Sequence, residues 1–232
     1  MSKPLLIDFH SHILPGVDHG CKDDQEAILQ RKLASQAKID VTVATPHFYP
    51  HKESFTDFNI RRQASWKRTQ NIPGPRICLG AEVFICRGME RMPELEQLCI
   101  EGTKTLLLEM PCKRWSDGLI ETVLEIEHTR GLTVVLAHVE RYDPEDVQIL
   151  FENGIHGQMN VTTLTSFHIK KYFKKWIEAG FIVALGSDLH GTRKECMNFA
   201  KVQRRLKHHF YEIMKQTECL LIKQTEGDIN YE

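Results

Sequence analysis

Apolar residues come in short runs, and six of these runs stop on a side chain able to bind a metal. Residues 4–7 lead into Asp8-Phe9-His10-Ser11-His12, and residues 39–44 into Thr45-Pro46-His47. Residues 77–81 lead into Glu82, 106–108 into Glu109, 132–137 into His138, and 181–187 into Asp188-Leu189-His190. Short apolar runs of this kind predict buried strands. Between them, apolar residues fall at helical spacing: Ile28, Leu29, Leu33 and Ala37 within 24–38, and Ile120, Val123 and Leu124 within 117–130. Pro144 opens a helix reaching Asn153. A further helix spans 169–179, and 193–216 reads as one long terminal helix with Arg204, Arg205 and Lys207 on its outer side. At Gly131, Gly154 and Gly180 a helix gives way to glycine and then to a strand, the signature of a left-handed cap that turns the chain back toward a sheet.

Strands near residues 5, 40, 78, 106, 134, 157 and 183 thus alternate with helices. The pattern predicts an α/β fold, a distorted (β/α)7 TIM-like barrel whose chemistry lies at the C-terminal ends of its parallel strands. An open doubly wound sheet is the second option, but it gathers ligands at one switch point rather than around a ring. No Gly/Ser-rich linker interrupts the chain, so 1–232 reads as one domain, with 217–232 as a loose tail.

Composition removes several classes of function. With 232 residues and 41% hydrophobic content the chain can bury a substantial core. Its 30 basic residues balance 31 acidic ones, which gives no electrostatic case for nucleic acid or an anionic membrane. No segment has the length of a membrane span, and the N-terminus lacks the apolar core of a signal peptide, so the expectation is a cytoplasmic protein without membrane insertion. Seven scattered cysteines form no C-x-x-C pair, and none is followed six positions later by arginine. A thiolate nucleophile of the C-x5-R kind is therefore excluded.

His10-x-His12 alone is a short and common motif. On a strand, however, Asp8, His10 and His12 share one face. Neutral imidazoles are metal ligands, and a carboxylate behind them can hold the rings in the coordinating orientation. The same acid and imidazole, two residues apart, recur at Asp188 and His190 near the other end of the chain.

Together, 10-HSHILPGVDHG-20, Thr45-Pro46-His47, Gly80-Ala81-Glu82, Leu108-Glu109, 137-AHVER-141 and 187-SDLH-190 resemble the polymerase and histidinol phosphatase (PHP) superfamily. They look most like its bacterial tyrosine-phosphatase branch, associated with capsule and exopolysaccharide synthesis. The resemblance implies a distorted seven-stranded β/α barrel with three divalent metal ions, commonly manganese. By motif, the implied ligands are His10, His12, His47, Glu82, Glu109, His138, Asp188 and His190, with Glu82 bridging two metals. Relatives read Asp-Asp-Gly where this chain has Asp18-His19-Gly20, which implies His19 as the ninth ligand. The alternative is that Asp18 turns inward and His19 faces solvent. An imidazole in place of a carboxylate removes a negative charge and tilts that position from manganese toward iron or zinc.

Arg141 is the implied phosphate-binding arginine. Arg193 is the candidate for a second, or else a first-turn helix residue in water. Asn160, Thr162 and Thr163 are placed for the rim, and Trp115 to meet a phenyl ring. His51 and His168 lie near strand ends, while His128, His208 and His209 read as surface residues. The implied activity is hydrolysis of protein phosphotyrosine, on a cytoplasmic bacterial tyrosine kinase, by a metal-activated hydroxide. A histidinol-phosphate or other small-molecule phosphatase is the enzymatic alternative. A barrel that binds metal or a kinase without turnover is the non-enzymatic one.

Overall fold

The computed structural model describes residues 3–167 and 169–222. Nine strands are present among them: β1 (Ile7–Ser11), β2 (Val41–Ala44), β3 (His47–Phe48), β4 (Arg76–Leu79), β5 (Glu82–Phe84), β6 (Thr105–Glu109), β7 (Thr133–Leu136), β8 (His156–Asn160) and β9 (Ile182–Gly186). All pairings are parallel, in one sheet of order β1-β2-β4 and another of order β3-β5-β6-β7-β8-β9. The expected closed barrel is corrected to this extent: the ladders form two sheets, and no closed sheet occurs among the described residues.

The split has a local cause. Two predicted strands are each followed by a second short strand that joins the other sheet, after an interruption at Thr45-Pro46, just past the first run, and at Gly80-Ala81, the end of the second. Pro46 has no N–H for a ladder. Gly80 is closely packed, since a Cβ there would lie 3.3 Å from Ile100 Cγ1. Single hydrogen bonds carry the chain across the breaks: Thr45 N donates to Ser11 O (2.9 Å), Gly80 N to Ala44 O (2.8 Å) and Glu82 N to Pro46 O (3.0 Å). At the far edge, an isolated parallel bridge joins Ser11 to Leu189, and Asp188 N donates to His10 O at 2.8 Å.

The helices are α1 (Asp24–Gln36), α2 (Phe55–Thr69), α3 (Asp117–His128), α4 (Pro144–Glu152), α5 (Val161–Leu164), α6 (Lys171–Glu178), α7 (Phe199–Leu206) and α8 (His208–Leu220). Gly131, Gly154 and Gly180 all have positive φ, between 62° and 89°, as their cap positions require. Helix α2 was not anticipated, because its inward face is Phe58, Arg62, Ser65 and Thr69, mostly polar. Hydrogen bonds hold that face instead of an apolar stripe: Arg62 Nη2 donates to Gln97 O (2.8 Å) and Ser65 Oγ to Pro15 O (2.8 Å).

The predicted terminal helix is not continuous. A short turn at Glu195–Asn198 precedes α7, and Lys207, at φ 53° and ψ −118°, separates α7 from α8. Helix α8 also extends past the expected end into the supposed tail. Buried Thr217 donates to Val183 O (2.8 Å), and Thr105 Oγ1 donates to Leu220 O (2.9 Å). The rest of the tail, 223–232, and His168 lie outside the described residues. The core is formed by the strands themselves, with Leu106, Leu107, Leu108, Val134, Val135 and Leu136 fully buried. Among the described residues, no helix is long and apolar enough to cross a membrane.

Candidate metal centre

The C-terminal ends of the strands converge on one cluster. His10 and His12 come from the end of β1, His47 from β3, Glu82 from β5, Glu109 from β6, His138 from the residues after β7, and Asp188 and His190 from those after β9. Their ligand atoms form three groups, each within 4.8 Å: His12, His47 and His190; His10, His12 and Asp188; His47, Glu82 and Glu109. Fully buried Glu82 links them. Its Oε2 lies 3.1 Å from His10 Nε2, 3.3 Å from His12 Nε2 and 2.9 Å from His47 Nδ1, and its Oε1 lies 2.8 Å from His138 Nε2.

Asp18 settles how His12 points. Its Oδ2 accepts from His12 Nδ1 (2.7 Å) and from the His47 backbone N–H (2.9 Å), while Oδ1 accepts from Gly20 N–H (2.8 Å). The turn needs glycine at position 20, because a Cβ there would come within 2.0 Å of His12 Cβ. Asp18 therefore does what the strand pattern suggested for Asp8. The Asp8 carboxylate instead accepts from Ser187 N–H (2.7 Å) and Ser187 Oγ (2.6 Å), tying β1 to the end of β9, and burial pushes its pKa up to about 6. His19 is exposed but does not point away from the cluster. Its ring lies 4.9 Å from that of His47, nearly parallel to it, and 4.9 Å from that of His190.

The donor set fits divalent cations. Buried His47 Nδ1, Glu82 Oε2 and Glu109 Oε2 converge without hydrogen-bond partners, a costly arrangement unless a cation satisfies them. With Nδ1 of His12 donating to Asp18, its lone pair is on Nε2, which faces Asp188 Oδ1 at 3.4 Å and His10 Nε2 at 3.1 Å. His190 Nδ1 likewise donates to Asp188 O at 2.9 Å, leaving Nε2 for coordination.

Without metal, protons compensate. Burial works against a charged His47, but the Glu109 and Glu82 carboxylates beside it outweigh burial and raise its pKa to about 9. His10 is raised against the same desolvation, by Glu82 and Asp188, whereas burial and neighbouring His12 push His190 down to about 4. Burial also opposes ionisation of Glu82, yet the surrounding imidazoles hold it well below the usual carboxylate range. A ring must be neutral to bind metal, so loading at neutral pH is expected to expel protons, His47's among them. Apparent affinity should rise with pH up to about 9. Calorimetric titration with Mn²⁺ in buffers of different ionisation enthalpy reads the released protons, and buffer-independent heats would contradict the assignment.

Arg141 stands at the edge of the cluster, in the Val139–Arg141 turn, with Nη2 donating to Asp188 Oδ2 in a short ion pair. Arg193 follows His190 by three residues, its backbone N–H donating to His190 O (3.4 Å), and its guanidinium is 71% exposed and 3.8 Å from Glu195. Asn160 Nδ2 donates to Asp188 Oδ2 (2.9 Å), and Thr163 Oγ1 to Glu140 Oε1 (3.2 Å). Trp115 is a packing residue rather than a ring platform, buried with its Nε1 donating to Pro111 O (3.0 Å). Aromatic surface lies instead at Tyr49, His51 and Phe84, within 6 Å of one another, with Tyr49 stacked against His47 at 5.2 Å. Tyr49 and Phe84 each follow a candidate ligand by two positions, a spacing that could have flagged them. His128 ends α3, and His208 and His209 form an exposed group with Glu212 at the start of α8.

Fold and site define a parallel α/β protein carrying a buried cluster of imidazoles and carboxylates at its strand ends. The chain belongs to the capsular polysaccharide synthesis family CpsB/CapC, whose model matches residues 6–226. It is 28% identical over 206 residues to tyrosine-protein phosphatase CpsB of Streptococcus agalactiae, covering 80% of this chain and 83% of that one. It is 26% identical over 241 residues to tyrosine-protein phosphatase YwqE of Bacillus subtilis, covering 95% and 93%. A solved structure from work on YwqE of Bacillus subtilis and CpsB of Streptococcus pneumoniae, described as metal-dependent tyrosine phosphatases, shares the fold. Its TM-score is 0.78 at 23% identity, over 94% of this chain and 95% of that one.

Proposed function

We propose that the chain is a metal-dependent phosphomonoesterase acting on protein phosphotyrosine. The observation that carries this reading is the convergence of His10, His12, His47, Glu82, Glu109, His138, Asp188 and His190 beside a half-exposed arginine, Arg141. The relatives named tyrosine-protein phosphatases support it. We read the two sheets as the wall of one seven-stranded PHP-type barrel in a single domain, a reading supported by the hydrogen bonds across each break and by the Ser11–Leu189 bridge. The proposed setting is cytoplasmic, and the proposed partner is a bacterial tyrosine kinase carrying phosphotyrosine.

The cluster suits three divalent cations, manganese foremost, with iron or zinc favoured at the position facing His19. Bound there, they would supply Lewis acidity toward a phosphoryl oxygen and a water acidic enough to attack at neutral pH. The protein's own residues do the rest. Three carboxylates, Glu82, Glu109 and Asp188, leave a surplus of positive charge on three divalent cations, which favours a phosphate dianion. Arg141, fixed by its bond to Asp188, offers its remaining N–H donors to phosphoryl oxygens. A phenolate leaving group, with a pKa of about 10, departs without a dedicated general acid. The half-buried rings of Tyr49 and Phe84 fit an aryl ester better than an alkyl one.

The test compares a phosphotyrosine peptide, a phosphoserine peptide, histidinol phosphate and a nucleoside monophosphate, each with Mn²⁺ and with chelator. Phosphotyrosine is expected to be hydrolysed at least about tenfold faster than the others, with activity lost to chelator and restored by Mn²⁺. Faster turnover of histidinol phosphate would shift the reading to the small-molecule branch. Absence of chelator-sensitive release from all four would end the enzyme reading.

A further inference from the structure

Two of the candidate ligands sit in strained backbone. His138 has φ 33° and Asp188 φ 52°, the left-handed region that non-glycine residues seldom occupy. They come from different strand ends, yet both are held by the same short relay. Gln158, on β8, is fully buried, and its Oε1 accepts the His138 backbone N–H (2.7 Å) and faces His10 Nδ1 (3.0 Å). Its Nε2 donates to Asn160 Oδ1 (2.9 Å), and Asn160 Nδ2 in turn donates to Asp188 Oδ2 (2.9 Å).

The direction of every bond in this relay follows from one group. A backbone N–H can only donate, so the Gln158 atom facing His138 N must be the oxygen. His10 Nδ1, facing the same oxygen, must then carry a hydrogen, which leaves the His10 lone pair on Nε2, pointing at Glu82 Oε2 and Asp188 Oδ1. The other end of the amide must donate, so Asn160 presents its oxygen to Gln158 and its NH₂ to Asp188. Space enforces the arrangement as well. A Cβ at Gly186 would lie 2.5 Å from His10 Cβ and 2.8 Å from Gln158 Nε2, so only glycine lets these side chains meet.

We propose that Gln158 is the positioning residue of the metal centre: it fixes the tautomer of His10 and holds the left-handed backbone of His138 directly, and it aims Asp188 through Asn160. The proposal rests on reading the cluster as a metal centre. It assigns to one neutral amide the orientation of three ligands from three strand ends, as Asp18 does for His12.

Gln158→Met keeps the side chain's length and removes its hydrogen bonds. It is expected to weaken metal binding 10- to 100-fold, the range for loss of an orienting partner, and to lose metal on dialysis that wild type retains. Gln158→Glu keeps an oxygen for His138 and His10 but meets Asn160 Oδ1 with a second acceptor. It should recover part of the affinity lost by Gln158→Met. Metal content is read by elemental analysis, and melting is followed with chelator and with Mn²⁺. If both variants bind metal as tightly as wild type, the proposal is overturned. It is also overturned if Gln158→Met lowers melting equally with and without metal while leaving affinity unchanged, since the role is then structural. Should the variants not fold, ¹⁵N imidazole NMR of zinc-loaded wild type decides: the proposal requires an Nδ1–H on His10, and an Nε2–H tautomer refutes it. Failure of wild type itself to bind metal counts against the metal centre, not against the relay.

Discussion

Glu82→Gln is expected to give a folded protein that has lost at least one metal ion and on the order of 10³-fold in kcat, about 4 kcal/mol of transition-state stabilisation. The side chain is fully buried and its two oxygens face four imidazoles, from His10, His12, His47 and His138, at 2.8–3.3 Å. No other carboxylate in the cluster touches as many. Strand pairing fixes it there, because Glu82 lies opposite His47 on β3 and opposite Leu107 on β6. Glutamine preserves volume, so packing survives. Its NH₂ cannot coordinate, however, and would be aimed at imidazole lone pairs that need a cation. Metal analysis of purified protein, circular dichroism and turnover of a phosphotyrosine peptide together check the expectation. Full metal content with kcat within tenfold of wild type would show that Glu82 is not the centre of the site.

The ends of the strands were more legible than their pairing. The candidate ligands other than His19 stand at or just past the end of an apolar run, and burial makes such runs visible in a single sequence. The change of sheet at Thr45-Pro46 and Gly80-Ala81 was hidden because the residues that resume the ladder, from His47 and from Glu82, read as the tips of the preceding apolar runs, and only the ladder reveals that they join a different sheet. Helix α2 was hidden for the opposite reason, since Arg62, Ser65 and Thr69 bury polar groups through hydrogen bonds and leave no apolar period. The groups hydrogen-bonded to the candidate ligands were the least legible. Asp8 shares a strand face with His10 and His12, yet its carboxylate serves Ser187, while Asp18 reaches His12 through a turn. Gln158 carries no charge and no recognisable spacing to the residues it holds, and Asn160 was legible only as a rim residue after its strand. Periodicity reports which face a side chain occupies, but not which distant loop its neighbour comes from.

Arg141→Ala is expected to lower kcat/KM for a phosphotyrosine peptide by about 10²- to 10³-fold, as for loss of one donor to developing negative charge. The guanidinium is 45% exposed and anchored through Nη2 to Asp188, whose side chain is 9% exposed, so one end is fixed while the remainder of the fork is open to a ligand. Because Asp188 is itself a candidate metal ligand, the loss could have an indirect origin, and metal content separates the two cases. A direct role leaves the metal complement at wild-type level. Arg141→Lys should then restore only a minor part of the activity, since an ammonium keeps the charge but not the planar fork that engages two phosphoryl oxygens. Arg193→Ala serves as the comparison. Its side chain is 71% exposed and 3.8 Å from Glu195, an ion pair of little weight in stability, so the fold should survive and, with the phosphate held by Arg141, kcat/KM is expected to stay within about threefold. If Arg193→Ala proved as damaging as Arg141→Ala, the phosphate would have to sit further toward the residues after β9, and the geometry assigned to Arg141 would be wrong.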